Sequence, residues 1–576
     1  LVLIGNLEGF FEALHARGWL PASFLQWLDV KNLASAPTGN SFAPGDHWWW
    51  WRASRVIHDV VNGQTQEVID EFPQFSFLLG DLHPHVLALP FVLLALAAAL
   101  NLLRERSKWL LVISNWENAR RITIYYLPIT FVVGALGFLN PWDLPTLAFI
   151  TVVCYALARY RIHQPWDAGA TRDVLLFAFR LAAFSFLLYL PFYLGFQSQA
   201  GGILPVFFVK TRLHQYLLIN GFFVFVIGAL VVHLARRVPA REWLGRAIGF
   251  GFAGIAFPLA IGALTLLAVA LIPALQDNVR AFLPNADNPV SATLSAYFAP
   301  WFADPWLFVL LTILLATIAA LALTRLREDD SVVFVLLLAF TGFLLTFGVE
   351  FVFLRDSFGS RMNTIFKFYF IAWALFSIAA AYAVYRLSRD LRGLARGAWF
   401  AGFAALLVMA LAYPAFAIPS RADNFNKTPT LDGIAWIREQ NPDDYAAIEW
   451  LSAHAPRGAF IVEAVGDDYS YGNRISMATG LPTVLGWVGH ELQWRGNTKL
   501  FEDDAAGINR RADIARIYQS LDGRETLTLL DKYAIKFVVV GQSERAKYNL
   551  TKTQVDKFHR ILNLAFEHGE LRIYAR

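Results

Sequence analysis

Asp81, His83 and His85 stand at alternate positions in the run Gly80-Asp81-Leu82-His83-Pro84-His85, shortly after Glu71-Phe72-Pro73. One carboxylate and two imidazoles are a ligand set that suits a divalent metal such as Mg, Mn or Zn, and Asp81, with Glu71 second, is the residue type that takes a proton as a general base. The alternative is a loop whose Asp and His cap a helix with Pro84 in its first turn. A second group is Asn140-Pro141-Trp142-Asp143. Here helix capping competes strongly with a role for Asp143 at a substrate. The third holds Arg355, Arg361, Asn363 and Lys367, with Asn363 and Lys367 four apart and so on one helix face. Three cations and an amide suit a lipid phosphate or pyrophosphate, unless Arg355 simply pairs with Glu350 or Asp356. The fourth is Arg474, His490, Glu491 and Arg495 among Gly486, Trp487, Gly489 and Trp494. That mixture suits a binding loop in which rings stack on sugars or lipids and Arg reads phosphate, or else tryptophans that pack a long loop onto its domain. The run Trp48 to Trp51 reads as an aromatic belt at a membrane interface.

The elements that must position these groups are set by apolar run length. Hydrophobic residues make up 56% of the chain and charged residues 16%, a balance that favours a membrane over water as the solvent. Runs of 17 to 25 apolar residues cross ~30 Å of hydrocarbon as helices, since a lipid-exposed chain must satisfy its own backbone hydrogen bonds. Ten such runs are predicted, at 86–103, 122–139, 144–160, 174–196, 216–234, 247–273, 306–324, 332–353, 365–387 and 397–418. Alternate connections carry Arg104, Arg106, Lys108, Arg120 and Arg121; Arg159, Arg161 and Arg172; Arg236, Arg237, Arg241 and Arg246; Arg325 and Arg327; Arg386, Arg389, Arg392 and Arg396. The opposite connections hold Lys210, Arg212, Arg280, Arg355 and Arg361, and this asymmetry of 18 to 5 places the first set in the cytoplasm. All four groups of chemically capable residues then lie on the extracytoplasmic side.

From residue 419 the composition becomes that of a soluble α/β domain, with helices predicted at 446–454, 510–520 and 527–533 and strands at 459–465 and 536–540. The expected fold class is an α-helical polytopic membrane protein of about ten transmembrane helices, residues 86–418, between an extracytoplasmic segment 1–85 and an extracytoplasmic α/β domain 419–576. The net charge of +4 comes from short clusters with no broad basic face, which argues against a nucleic-acid partner. The single cysteine, Cys154, sits in an apolar run and permits no intrachain disulfide. The chain opens at Leu1 with neither methionine nor a signal-peptide n-region, so it is expected to lack its beginning.

Four long blocks, EFPQFSFLLGDLHPHVLALPF, GFLNPWDLPT, LRDSFGSRMNTIFKFYFIAW and RISMATGLPTVLGWVGHELQWRG, resemble in content and order the signature blocks of the YYY membrane proteins, a family defined by a domain of unknown function. That family is similar in topology to the GT-C glycosyltransferases, which move a sugar from a polyprenyl-phosphate carrier on the outer membrane face. The resemblance implies a lipid-linked sugar donor, an acceptor of unspecified identity, a plasma-membrane location, and an acidic residue of the first outer loop as base, sometimes beside a divalent metal. The family's N-terminal part, which bears the Tyr-Tyr-Tyr motif and an Asp-Pro-Trp segment, is expected to be missing from this chain. If the base belongs to that part, Asp81 becomes a metal ligand or secondary group. On this reading Arg355, Arg361 and Lys367 hold the carrier phosphate, and His490, Glu491 and Arg495 close the site. The alternative is a non-catalytic membrane scaffold whose outer domain binds a partner.

Overall fold

The computed structural model describes residues 1–576 except 37, 39–42, 46–47, 62, 105–118, 163–165, 199, 284–287, 327–328 and 427. Arg106, Lys108 and Arg327 of the larger charge set lie outside the described residues, as do the side chains of Arg120 and Arg121. The chain divides into two compact units, one of residues 1–194 and 200–426, the other of residues 195–199 and 427–576.

In the first unit each of the ten apolar runs is a helix. Seven are long and apolar enough to cross a membrane among the described residues: Pro84–Arg104, Leu213–Arg236, Ala240–Leu271, Trp306–Thr324, Asp330–Gly348, Met362–Asp390 and Gly393–Arg421. The other three are Ala119–Leu139, Asp143–Ile162 and Ala168–Leu188. The described apolar stretch of the first is Leu127–Leu139, and the other two carry charge within the helix. Part of that charge is paired between the two helices: Arg159 donates to Asp173 at 2.6 Å, and the Tyr155 hydroxyl donates to the same carboxylate at 3.0 Å. Pairing across two helices is how an ionised group is tolerated at membrane depth.

Residues 1–85 share the helical core. Phe72 stacks on Trp373 at 5.2 Å and meets Tyr413 edge-on at 5.1 Å, and Trp49 and Trp50 are buried. The tryptophan run therefore divides, two indoles entering the core while Trp48 and Trp51 stay at the surface side. Gly5 and Gly9 lie so close to Tyr413 that a Cβ on either would meet it within 2.8 Å, which fixes the approach of helix Glu8–Ala16 to Gly393–Arg421. Two short antiparallel strand pairs complete this unit, the hairpin His58–Val61 with Gln64–Glu67 and the long-range pair Ile203–Pro205 with Val352–Leu354.

The second unit is a four-stranded sheet in the order Phe460–Val462, Ile535–Val540, Leu571–Ala575, Asn563–His568. The first pair is parallel and the others are antiparallel. Val538 and Val540 face a core with Ile514, Ile517, Leu530 and Phe558, while Phe537 and Val539 face one with Ile437, Ile448 and Leu451. An unbroken apolar run in Ile535–Val540 is what a strand covered on both faces requires. Helices Pro442–His454, Arg510–Gln519 and Gly523–Lys532 lie where the sequence predicts them, with ends shifted by a few residues.

Candidate functional site

Gly80 and Pro84 set the first group in place. Gly80 ends helix Pro73–Leu79 in the left-handed region at φ 75°, a conformation that costs glycine no Cβ clash. Pro84 opens helix Pro84–Arg104, where its missing N–H is not needed. The His83 carbonyl accepts from the Val86 and Leu87 N–H groups, so His83 does occupy the capping turn. The Asp81 side chain does something else: His83 Nδ1 donates to it at 3.0 Å. That hydrogen bond holds the Asp81 carboxyl below the usual range, with burial opposing it.

His85 turns into the bundle. Its ring lies edge-on to Phe366 and Phe370, at 4.7 and 4.2 Å, and 4.7 Å from the ring of His83. The buried Lys367 ammonium is 3.3 Å from His85 Nδ1 and 4.0 Å over the Phe366 ring. Lys367 is also the shared cation in the field of Glu71, Asp81 and Asp143. Asp143 is buried at the start of its helix and accepts from the Asn140 side chain at 2.9 Å. Glu71 is buried beside Arg55, 3.6 Å away, and burial raises its carboxyl above the usual value. The neighbouring Asp70, which accepts the Ile57 N–H at 2.7 Å, is pushed by burial to about 7. Glu71, Asp81, His83, His85, Asp143 and Lys367, drawn from three separate sequence groups, thus form one cluster.

Of the residues expected to hold a metal, Asp81 and His83 are joined by a hydrogen bond and the His85 ring lies beside that of His83. His83 Nδ1 is engaged by Asp81 and His85 Nδ1 by Lys367, and among the described residues no three His, Cys, Asp or Glu side chains converge on an ion position. The local positive charge comes from the Lys367 ammonium.

Arg361 departs from its expected role as a free phosphate ligand. It is 2% exposed, donates to both oxygens of Asp59 at 2.8 and 2.7 Å, and reaches Glu350 at 3.0 Å. Glu350 also accepts the Thr211 N–H at 2.9 Å and hydroxyl at 2.6 Å, and its carbonyl accepts from Lys210. Lys210 lies 3.9 Å over the Trp301 ring, and burial lowers its ammonium to about 7. In the sequence Lys210 stands out only as an outer cation and nothing marks Asp59, which is carried by strand His58–Val61. Asn363 donates to Asp356 at 2.7 Å, an attachment within the loop. Arg355 is exposed, and among the described residues its guanidinium has no ion pair.

In the second unit Arg474 is likewise a buried hub. It is 1% exposed and pairs with Glu544 at 2.9 Å and Asp444 at 2.8 Å, with Glu463 at 3.6 Å. This is a fold-holding arrangement and corrects its expected place in a sugar-reading loop. Glu491 accepts from Arg495 one turn away and from the Gly486 N–H at 3.2 Å. The His490 ring meets Tyr469 and Trp487 edge-on, each at 5.2 Å.

The family model described as uncharacterized membrane protein (DUF2298) matches residues 1–376, and the chain belongs to that family. Three of the four sequence blocks fall within the matched residues. The protein is therefore a multi-pass membrane protein. Among solved structures it is similar to the archaeal oligosaccharyltransferase AglB from Archaeoglobus fulgidus, in complex with an inhibitory peptide and a dolichol-phosphate, at 13% identity and a TM-score of 0.27. That match covers 92% of this chain and 56% of AglB, so the chain spans little more than half the length of AglB. No curated protein sequence matches it.

Proposed function

We propose that the chain is a GT-C-like glycosyltransferase of the plasma membrane that takes a sugar from a polyprenyl-phosphate carrier, with its site and its α/β domain on the extracytoplasmic side. The observation that carries this reading is the gathering of Glu71, Asp81, Asp143, two imidazoles and one ammonium where helix Pro84–Arg104 begins. The charge asymmetry of the connections supports the orientation.

In the reaction the acceptor hydroxyl oxygen attacks the anomeric carbon of the donor. The bond from that carbon to the carrier phosphate oxygen breaks, and its electron pair leaves with the polyprenyl phosphate. Glu71 takes the hydroxyl proton, because a carboxyl raised by burial is a stronger base than Asp81, whose hydrogen bond from His83 favours the anion. Lys367 offsets the charge that develops on the leaving phosphate, and the exposed Arg355 meets the carrier from outside. His83 keeps Asp81 ionised and oriented. A divalent ion held by Asp81, His83 and His85 would offset the same phosphate charge.

Native mass spectrometry of the full chain with polyprenyl phosphates and ordinary phospholipids tests the reading. The intact protein should retain the polyprenyl carrier selectively, and Lys367→Gln should weaken retention about tenfold or more. Equal retention of all anionic lipids by both proteins would leave a non-catalytic scaffold as the better account.

A further inference from the structure

A second feature of the first unit lies outside the lysine-centred cluster. A cavity of about 680 Å³ is lined by Lys31, Trp48, Trp51, Arg52, Arg55 and Glu67 among others. That volume falls within the range of small-molecule sites. Its floor holds an incompletely satisfied cation. Arg55 is 8% exposed, and its Nη1 donates to the Ser54 carbonyl and hydroxyl at 2.7 and 2.8 Å. The carboxylates nearest to it, Glu71 at 3.6 Å and Glu67 at 4.0 Å, stand beyond hydrogen-bond reach. Its buried Nε–H has no hydrogen-bond acceptor among the described residues. A guanidinium donor left unmatched in a buried place carries a desolvation cost that an incoming oxyanion removes.

The rest of the lining narrows the ligand. Arg55 lies 4.8 Å over the Trp51 ring, and Trp48 is edge-on to Trp51 at 5.8 Å. Indole faces offer negative quadrupole surface to the C–H face of a pyranose, while a guanidinium pairs with a carboxylate or phosphate in a planar fork. Lys31, whose ammonium pairs with Glu67, adds charge at the exposed rim. Arg52 and Lys31 are paired with Glu12 and Glu67, so the lining donor that a neutral or basic ligand would leave unmatched is the Arg55 Nε–H. The same guanidinium also faces Glu71, which links the cavity to the carboxylate read above as the base.

We propose that this cavity is the acceptor subsite and takes a saccharide bearing an acidic group, the indoles of Trp48 and Trp51 covering the ring and Arg55 pairing with the acid. The assignment rests on the glycosyltransferase reading for the word acceptor, and on the cavity alone for the ligand class. It explains why a loop segment outside the ten helices buries an arginine without a complete set of partners.

Calorimetric titration of the full chain in detergent with glucuronic acid, glucose 1-phosphate and glucose tests this. Both acidic sugars should bind, with glucose at least about tenfold weaker. Arg55→Lys and Trp48→Ala should each lower the acidic-sugar affinity about tenfold; the exposed Trp48 keeps the test valid if a change at buried Arg55 disturbs folding. Lys367→Gln should leave that affinity unchanged while weakening polyprenyl-phosphate retention, which separates a failure of the cavity from a failure of the lysine-centred cluster. Equal binding of all three sugars, or acidic-sugar binding unmoved by both Trp48→Ala and Arg55→Lys, overturns the proposal.

Discussion

Arg361 and Lys367 lie six residues apart and are both buried, yet their surroundings differ in kind. Arg361 touches two carboxylates, one of them through a planar fork, and Glu350 on its far side is itself saturated by Thr211. Lys367 touches an imidazole nitrogen and a phenyl face, and acts on three carboxylates through space. A closed network has its charge cancelled by contacts already made, so its strength goes into holding elements together. An open one retains charge that a ligand can meet. The Arg474 network in the second unit has its charge cancelled by three carboxylates around one guanidinium, although the Arg474 Nε–H, like that of Arg55, has no acceptor among the described residues.

Breaking the closed network should have the largest effect on stability. Arg361→Ala leaves Asp59 and Glu350 buried without their counter-ion, and we expect a loss of about 3–5 kcal/mol, read as a lowered unfolding midpoint in detergent. A stable Arg361→Ala protein that loses only carrier retention would reverse the comparison and return Arg361 to the site.

The second unit gives a smaller effect with a defined pH dependence. Glu463 is fully buried between Arg474 and the N–H groups of Ile475 and Ser476, and burial raises its carboxyl from 4.5 to about 7. The folded chain therefore keeps a proton that the unfolded chain releases between about pH 4.5 and 7. Stability is greatest below that window, falls as pH rises through it by about 3 kcal/mol, and is flat above it. Glu463→Gln should remove this slope from the unfolding transition of the full chain. A slope that survives the substitution assigns the proton elsewhere.

The smallest effect on stability is expected at the open cluster. Lys367→Met keeps side-chain length and removes a buried charge whose contacts are incomplete, so the unfolding free energy should change by no more than about 1 kcal/mol. Transfer of labelled sugar from a polyprenyl-phosphate donor should nevertheless be lost. Strong destabilisation without that selective loss would place Lys367 with Arg361 among the fold-holding groups.

The sequence by itself determined the ten helices and the α/β domain, because run length and alternation act locally: a 20-residue apolar run has one way to satisfy its backbone in lipid, and Ile535–Val540 one way to be covered on two faces. It also placed Asp81, His83 and His85 together, since Gly80 and Pro84 punctuate that turn regardless of what packs on it. Which cations are free was decided only by the tertiary structure. Arg361, Lys367 and Arg474 look alike in sequence, and their partners come from far along the chain: Asp59 is 302 residues from Arg361, His85 is 282 from Lys367, and Glu544 is 70 from Arg474. Electrostatic pairing depends on distance in space and on the local dielectric, and neither is encoded by spacing along a chain. The same reason hid Arg55: its neighbours Ser54 and Glu71 are near in sequence, but only the packing that buries it leaves its Nε–H without an acceptor among the described residues.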